Sequence, residues 1–258
     1  MNIRLVIVLI GIACSSVLNA QVADSYPLPV QKLVKAYPET ITGFDGSYII
    51  LANGNKVAYA NDGKENKTHE ELVNSNSVKD IFAFEYKKGK VTTLPKNHDP
   101  GRIRSEDLLK KMYGASAAEV QKTLTTIIWC PKLVNQKLKV TTINGVDKQL
   151  QKVSDELDRH PELKDYVLSA GTFVWRKVRG ADRLSAHSFG TAIDVSIKYS
   201  NYWQWDCKCN NENVDLKYKN RIPQLIVDIF EKYGFIWGGK WYHYDTMHFE
   251  YRPELLIE

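Results

Sequence analysis

The stretch Ser185-Ala186-His187-Ser188-Phe189-Gly190-Thr191-Ala192-Ile193-Asp194 constrains this chain more than any other. It sets an imidazole and a carboxylate on either side of a glycine turn, at the start of an apolar run. Near the C-terminus, His243-Tyr244-Asp245-Thr246-Met247-His248-Phe249-Glu250 offers a second imidazole with carboxylates beside it. Neutral imidazole and carboxylate oxygen are ligands that zinc accepts at roughly 2.0–2.2 Å, and a catalytic zinc needs three of them plus an open position. Gly190 lets the backbone turn so that His187 and Asp194 can face one point, and His248 is the candidate third ligand. Alone, each pair of residues is a chance occurrence; the two together, both bordered by glycine and aromatics, are not. His243 is a rival to His248, but its acidic neighbour follows it instead of preceding it, which suits a structural or substrate-facing role better.

The rest of the chain bounds the setting. With 258 residues, 43% hydrophobic and 25% charged, it has enough apolar surface for a full core. The formal charge of +5 is spread along the chain, so basic pairs such as Lys87-Lys88 and Lys110-Lys111 read as solvated faces and not as a nucleic-acid footprint. Met1 to Ala20 has the form of an export signal: Arg4, an apolar stretch from Leu5 to Ala13, and the small Ala20 before Gln21. That stretch is short of the about 20 residues a membrane-spanning helix needs. Ile10-Gly11-Ile12-Ala13-Cys14 also resembles a lipoprotein box, which would leave a lipid anchor on Cys14, and both processing outcomes stay open. Either way the mature protein is expected outside the cytoplasm, periplasmic or secreted. Of its cysteines, Cys130, Cys207 and Cys209 make an odd count, so at least one is free or paired between chains.

Periodicity gives the elements. Val30, Leu33 and Val34 mark a short helix between Pro27 and Tyr37; 47–60 reads as a hairpin turning at Asn53-Gly54-Asn55; 80–93 looks like a strand pair around Lys88-Gly89. Ser105 caps a helix running to Tyr113, and another starts near Ser116. Two β-branched runs, 125–130 and 137–142, precede an amphipathic helix with Val146, Leu150, Val153 and Leu157 on one face. A strand over 192–197, a helix over 222–233 ended by Gly234, and closing strands at 235–237 and 247–251 follow. The expected fold class is α+β, a small antiparallel sheet with flanking helices. Residues 1–20 are set aside as the signal, 21–120 as an N-terminal accessory region, and 121–258 as the domain carrying the metal site. His69, His98 and His160 lie in polar stretches and are expected to be exposed bystanders.

The pattern Ser-x-His-x-x-Gly-x-Ala-x-Asp, followed downstream by an acidic residue, two positions and His, resembles the zinc peptidases that cut peptidoglycan stem peptides: D-alanyl-D-alanine carboxypeptidases, D-Ala-D-Ala dipeptidases and L-alanyl-D-glutamate endopeptidases. The resemblance covers roughly the C-terminal half. It implies a small α+β fold whose antiparallel sheet carries zinc on His187, Asp194 and His248, with Asp245 as catalytic base. Many members have Glu there; Asp is one methylene shorter and is closer to the endopeptidase branch. Glu250 is the rival base, or else a partner that orients a ligand. The resemblance also implies an arginine at the end of a strand before the first motif. Thr172–Arg176 looks like that strand, so Arg176 is the candidate for stabilising the anionic intermediate, with Arg183 and Arg179 as alternatives. Ser185, Arg183 and Trp241 are expected to face the substrate, a peptidoglycan stem peptide, in a monomeric enzyme. The aromatics around both motifs suit either core packing or a cleft wall. A competing reading is a non-catalytic wall-binding protein with a structural metal, yet closed structural sites need four protein ligands and three are evident. A serine hydrolase using Ser185 or Ser188 lacks the Gly-x-Ser-x-Gly elbow.

Overall fold

A computed structural model describes residues 25–60, 63–74 and 77–257. The expected export signal, residues 1–20, and Cys14 lie outside the described residues.

The first element among the described residues is helix α1 (Leu28–Ala36), started by Pro27 and burying Val30 and Leu33. It packs against the C-terminal turn Pro253–Leu255, where Tyr37 Oη donates to Glu254 Oε2 at 2.6 Å. Strands β1 (Ile41–Phe44), β2 (Tyr48–Leu51) and β3 (Lys56–Ala58) form an antiparallel meander. The expected hairpin is β2–β3, and it turns where Asn53 Oδ1 accepts from Asn55 N and Gly54 takes a φ of +82°. Helix α2 (His69–Val73) begins with a reciprocal capping box between Thr68 and Glu71.

The strand pair expected over 80–93 does not form. The segment is a 3-10 turn, Lys79–Phe82, followed by irregular chain. Its polar groups are pinned from afar: Tyr86 Oη donates to Glu231 Oε1 at 2.7 Å and accepts from Trp237 N, while Gly89 N donates to Glu231 Oε2. These tertiary partners replace the ladder that the segment would otherwise make with itself.

Helices α3 (Glu106–Tyr113) and α4 (Ala117–Gln121) are capped by Ser105 and Ser116, whose hydroxyls accept from Leu108 N and Glu119 N. Strands β4 (Leu124–Trp129) and β5 (Gln136–Thr141) pair antiparallel along their full length. Helix α5 (Val146–Leu157) covers them, burying the four residues its periodicity singles out, Val146, Leu150, Val153 and Leu157.

The last third carries strand β6 (Ala192–Asp194), helix α6 (Trp203–Cys207), helix α7 (Gln224–Lys232) and strands β7 (Phe235–Trp237) and β8 (His248–Tyr251). The sheet order is β6-β8-β7, all antiparallel. Phe230 of α7 stacks on Phe249 of β8 with centroids 3.9 Å apart, which seats the helix on one face of this sheet. Cys207 and Cys209 form a disulfide, and Cys130 is a buried free thiol. The fold is α+β, as expected, built on small antiparallel sheets. One apolar cluster runs from Val30 and Leu33 through Trp129 and Phe230 to Leu255, so the regions 21–120 and 121–258 share a core. Among the described residues no helix is long and apolar enough to cross a membrane.

Candidate metal centre and its cleft

Strand register builds the centre. Asp194 on β6 lies directly opposite His248 on β8, so both side chains leave the same face of the sheet. The intervening pair, Ile193 and Phe249, points to the other face and is fully buried in the core. Two residues along β8 returns to the first face, which brings Glu250 beside His248.

His187 arrives from a 3-10 turn, Ala186–Phe189, capped by Ser185, whose hydroxyl accepts from His187 N. The turn ends at Gly190 in the left-handed region, φ +66°, where an added Cβ would lie 2.8 Å from Leu124 and 3.1 Å from the backbone of Thr141. Only glycine fits both the backbone and the space. His187 Nδ1 sits 2.6 Å from the carbonyl oxygen of Thr172, which can only accept. The ring proton is thereby fixed on Nδ1, and the lone pair falls on Nε2. That Nε2 is buried and has no hydrogen-bond partner.

Asp194 Oδ1 is 3.1 Å from His187 Nε2 and 3.1 Å from His248 Nδ1. On its other side, His248 Nε2 is 3.2 Å from Glu250 Oε2, so donation to that carboxylate leaves Nδ1 free to face Asp194. The three ligand-type atoms all lie within 4.8 Å of one another. A tetrahedral ion with bonds near 2.0 Å separates its ligands by about 3.3 Å, close to the two 3.1 Å spacings that Asp194 Oδ1 makes. An orphaned ring nitrogen, a carboxylate oxygen and a second ring nitrogen at such spacing fit a divalent cation. Burial alone would raise the Asp194 carboxyl, but the two imidazoles outweigh it and hold it below the usual carboxylate range. Burial would likewise lower His248, yet Asp194 and Glu250 push it up to about 9.

Asp245 lies just before β8, its backbone N–H held by Gly238 O and its own carbonyl accepting from His248 N. Its Oδ1 is buried with no partner. Burial, together with the negative charge of Asp194, raises its carboxyl to about 6. Such a group can both take and give a proton near neutral pH.

These residues open into one cleft of about 340 Å³. Eight of the residues singled out from the sequence line it, His187, Asp194, His248, Asp245, Arg176, Arg183, Ser185 and Trp241, as do Arg179 and His243, whereas Glu250 lies behind His248. Arg176 sits on an extended segment tied in by the Lys177–Leu184 bridge instead of on a regular strand, and its side chain is exposed. The Trp241 ring packs 5.6 Å from that of His248, with its indole N–H donated to Pro100 O at 2.7 Å.

The sequence pattern missed what the N-terminal region brings. Arg102 and Arg104 also line the cleft. Arg104 Nε donates to both oxygens of Glu250, at 2.7 and 2.9 Å, and its Nη2 pairs with Oε2. Arg252 Nη1 adds a contact to Oε1 at 3.0 Å. Burial would raise Glu250, but Arg104, His248 and Arg252 hold it well below the usual range. Glu250 is thus a fixed acceptor for His248 and not a free base. The local signal was the alternation Arg102-Ile103-Arg104, two cations flanking a buried Ile103 after the Pro100-Gly101 turn.

His69 is not a bystander. His69 Nε2 and His243 Nδ1 both meet Asp99 Oδ2 at 2.8 Å, and the two rings stack 5.1 Å apart. These three residues form a second His/Asp/His group. Here, however, the same oxygen also receives Arg102 Nη1 at 3.0 Å, and His243 Nε2 is taken by Glu212 O. A guanidinium already supplies the positive charge, so this group ties the N-terminal region to the cleft wall instead of offering vacant lone pairs. His160 is partly exposed beside Glu162.

Residues 179–251 match the family model described as D-alanyl-D-alanine carboxypeptidase. The match spans well under half of the chain, but it contains all three ligand-type residues and Asp245. It bears out the resemblance read from the motif and places that similarity on this segment. No curated protein and no solved structure matches the chain.

Proposed function

Taking residues 179–251 as a D-alanyl-D-alanine carboxypeptidase-type segment, we propose that this protein is a zinc-dependent peptidase of peptidoglycan stem peptides, exported to the periplasm or beyond. The bond hydrolysed is an amide of the D-Ala-D-Ala or L-Ala-D-Glu type. One observation carries the reading: His187 Nε2, Asp194 Oδ1 and His248 Nδ1 converge beside an unpartnered, buried Asp245 Oδ1. His187, Asp194 and His248 would hold zinc, and when bound the ion supplies Lewis acidity to the scissile carbonyl and acidifies water beside it.

The remaining chemistry belongs to the chain. Asp245, raised toward neutrality by burial and by Asp194, takes a proton from the attacking water and returns it to the leaving amine. Glu250, clamped by Arg104 and Arg252, fixes the His248 ring and keeps its Nδ1 directed at the centre. Thr172 O does the same for His187. Arg176, exposed at the cleft, can swing over the oxygen on which negative charge develops. Trp241 and Trp203 wall the cleft against an extended peptide. Ser185 shapes the turn that presents His187 and also lines the cleft. Residues 121–258 form the catalytic part and 21–120 an accessory part that reaches it through Arg102 and Arg104.

The test is a digest of defined pentapeptide and tetrapeptide stem peptides by purified protein, with products identified by mass. Loss of one D-Ala from the pentapeptide marks the carboxypeptidase activity, and release of L-Ala marks the endopeptidase. Intact peptides in the presence of zinc would refute the reading.

A further inference from the structure

Five arginines line the cleft, and they are not equivalent. Arg102 is paired with Asp99 and with both oxygens of Glu212. Arg104 is paired with Glu250. Arg176 and Arg179 are exposed and solvated. Arg183 fits neither description. Its Nη1 donates to the neutral Asn74 Oδ1 at 3.1 Å, and its Nε is buried with no partner at all. No carboxylate among the described residues is bonded to it.

A desolvated guanidinium without a counter-charge costs the fold free energy. Burial, reinforced by the positive charges of Arg102 and Arg104, lowers its pKa to about 10. The groups whose charges act on it include Arg102, Arg104, Glu212 and Asp99, all of the wall that the N-terminal region helps to build. The two carboxylates there are already committed to Arg102. Asn74, from the end of α2, fixes one side of the guanidinium and leaves Nε undonated. Arg183 itself lines the cleft, and a planar cation there with a donor left unpaired and no carboxylate bonded to it is matched by a carboxylate.

We infer that Arg183 is the receptor for a free carboxylate that the substrate carries apart from its scissile amide; a stem pentapeptide has two, that of the terminal D-Ala and the α-carboxyl of the D-glutamyl residue, and the second, which stays in place whichever D-Ala is lost, is the one assigned. The inference rests on the stem-peptide reading above. It gives the cleft a specificity: stem peptides with that carboxyl free are substrates, and their carboxamide counterparts are poor ones. A carboxamide keeps the shape and one acceptor oxygen but loses the negative charge and the second acceptor, so a two-pronged, charge-assisted contact becomes a single neutral one.

Two probes test this, L-Ala-γ-D-Glu-L-Lys-D-Ala-D-Ala and the same peptide with D-isoglutamine in place of D-glutamate. Binding is followed by calorimetry, and cleavage by mass, on the wild-type protein and on Arg183→Gln and Arg183→Lys. The expected preference for the free acid is roughly ten- to hundredfold in affinity. Arg183→Gln should bind both peptides equally, and Arg183→Lys should keep part of the preference. A second readout separates a ligand receptor from a structural residue. Removing an uncompensated buried charge should leave the melting temperature of the free protein unchanged or raise it. Equal wild-type binding of the two peptides, or a preference that survives in Arg183→Gln, overturns the inference. A lowered melting temperature in both variants also overturns it. Failure to cleave either peptide while the binding preference holds would instead sink the hydrolytic reading and leave the receptor standing.

Discussion

Replacing Arg104 by Met asks whether the N-terminal region supports the metal centre or merely accompanies it. Arg104 is 8% exposed and Glu250 1%, so their pair is desolvated. Removing one partner of a buried pair costs about 3–5 kcal/mol, because the other is left charged and unpaired. Here Arg252 still holds Oε1 at 3.0 Å and His248 still meets Oε2 at 3.2 Å, so the lower end, about 3 kcal/mol, applies. For a protein of this size that corresponds to a melting temperature lower by about 6–12 °C. The loss should also reach the metal. With Glu250 held by Arg252 alone, the His248 ring is less firmly fixed, and zinc affinity should fall by ~10–100-fold. Thermal melting of the metal-free protein reads the first effect, and titration against a competing chelator reads the second. Arg104→Lys, which keeps the charge but not the two-pronged contact, should fall between. A melting temperature within about 1 °C of wild type, together with unchanged zinc affinity, would refute the idea that Arg104 acts on His248 through Glu250.

Asp245→Asn should retain zinc yet lose ~10²–10⁴-fold in kcat on a stem peptide; a fully active variant would remove Asp245 as the base. Asp99 is held well below the usual carboxylate range, since Arg102, His243 and His69 outweigh its burial. A depressed folded value means its contribution is complete above about pH 4 and is lost as the pH falls through that value. Asp99→Asn should therefore melt well below wild type at neutral pH, with the gap closing as both are taken below about pH 4; a gap constant with pH would contradict the network. Cys130 is pushed up to about 12 by burial and by the Asp158 carboxylate, and Cys207 is bonded to Cys209. A thiol reagent at mild alkaline pH should label nothing in the native protein beginning at Gln21, and Cys130 alone after unfolding without reductant.

What the sequence disclosed follows from range. Helix α5 was readable because Val146, Leu150, Val153 and Leu157 repeat at helical spacing and bury together. Both metal-type motifs were readable because a turn glycine and a short strand fix His187, Asp194 and His248 locally, and only their meeting needed the β6–β8 register. The segment 80–93 deceived because its fate lies with Glu231 and Trp237, far along the chain. Arg104 and Glu250 are 146 positions apart, and no local pattern announces their pairing. His69 looked exposed for the same reason: Asp99 and His243, which bury it, are supplied by other parts of the chain.

The central claim is that the ion sits on His187, Asp194 and His248, and the chain offers its own control in the similar group formed by His69, Asp99 and His243. Zinc content per chain should be measured in the wild-type protein, in His187→Ala, in Asp194→Ala and in His69→Asn, after equal zinc exposure and dialysis. About one zinc per chain is expected in wild type and in His69→Asn, with little or none in the other two. Zinc retained by both His187→Ala and Asp194→Ala, or lost from His69→Asn, would place the metal elsewhere and contradict the account.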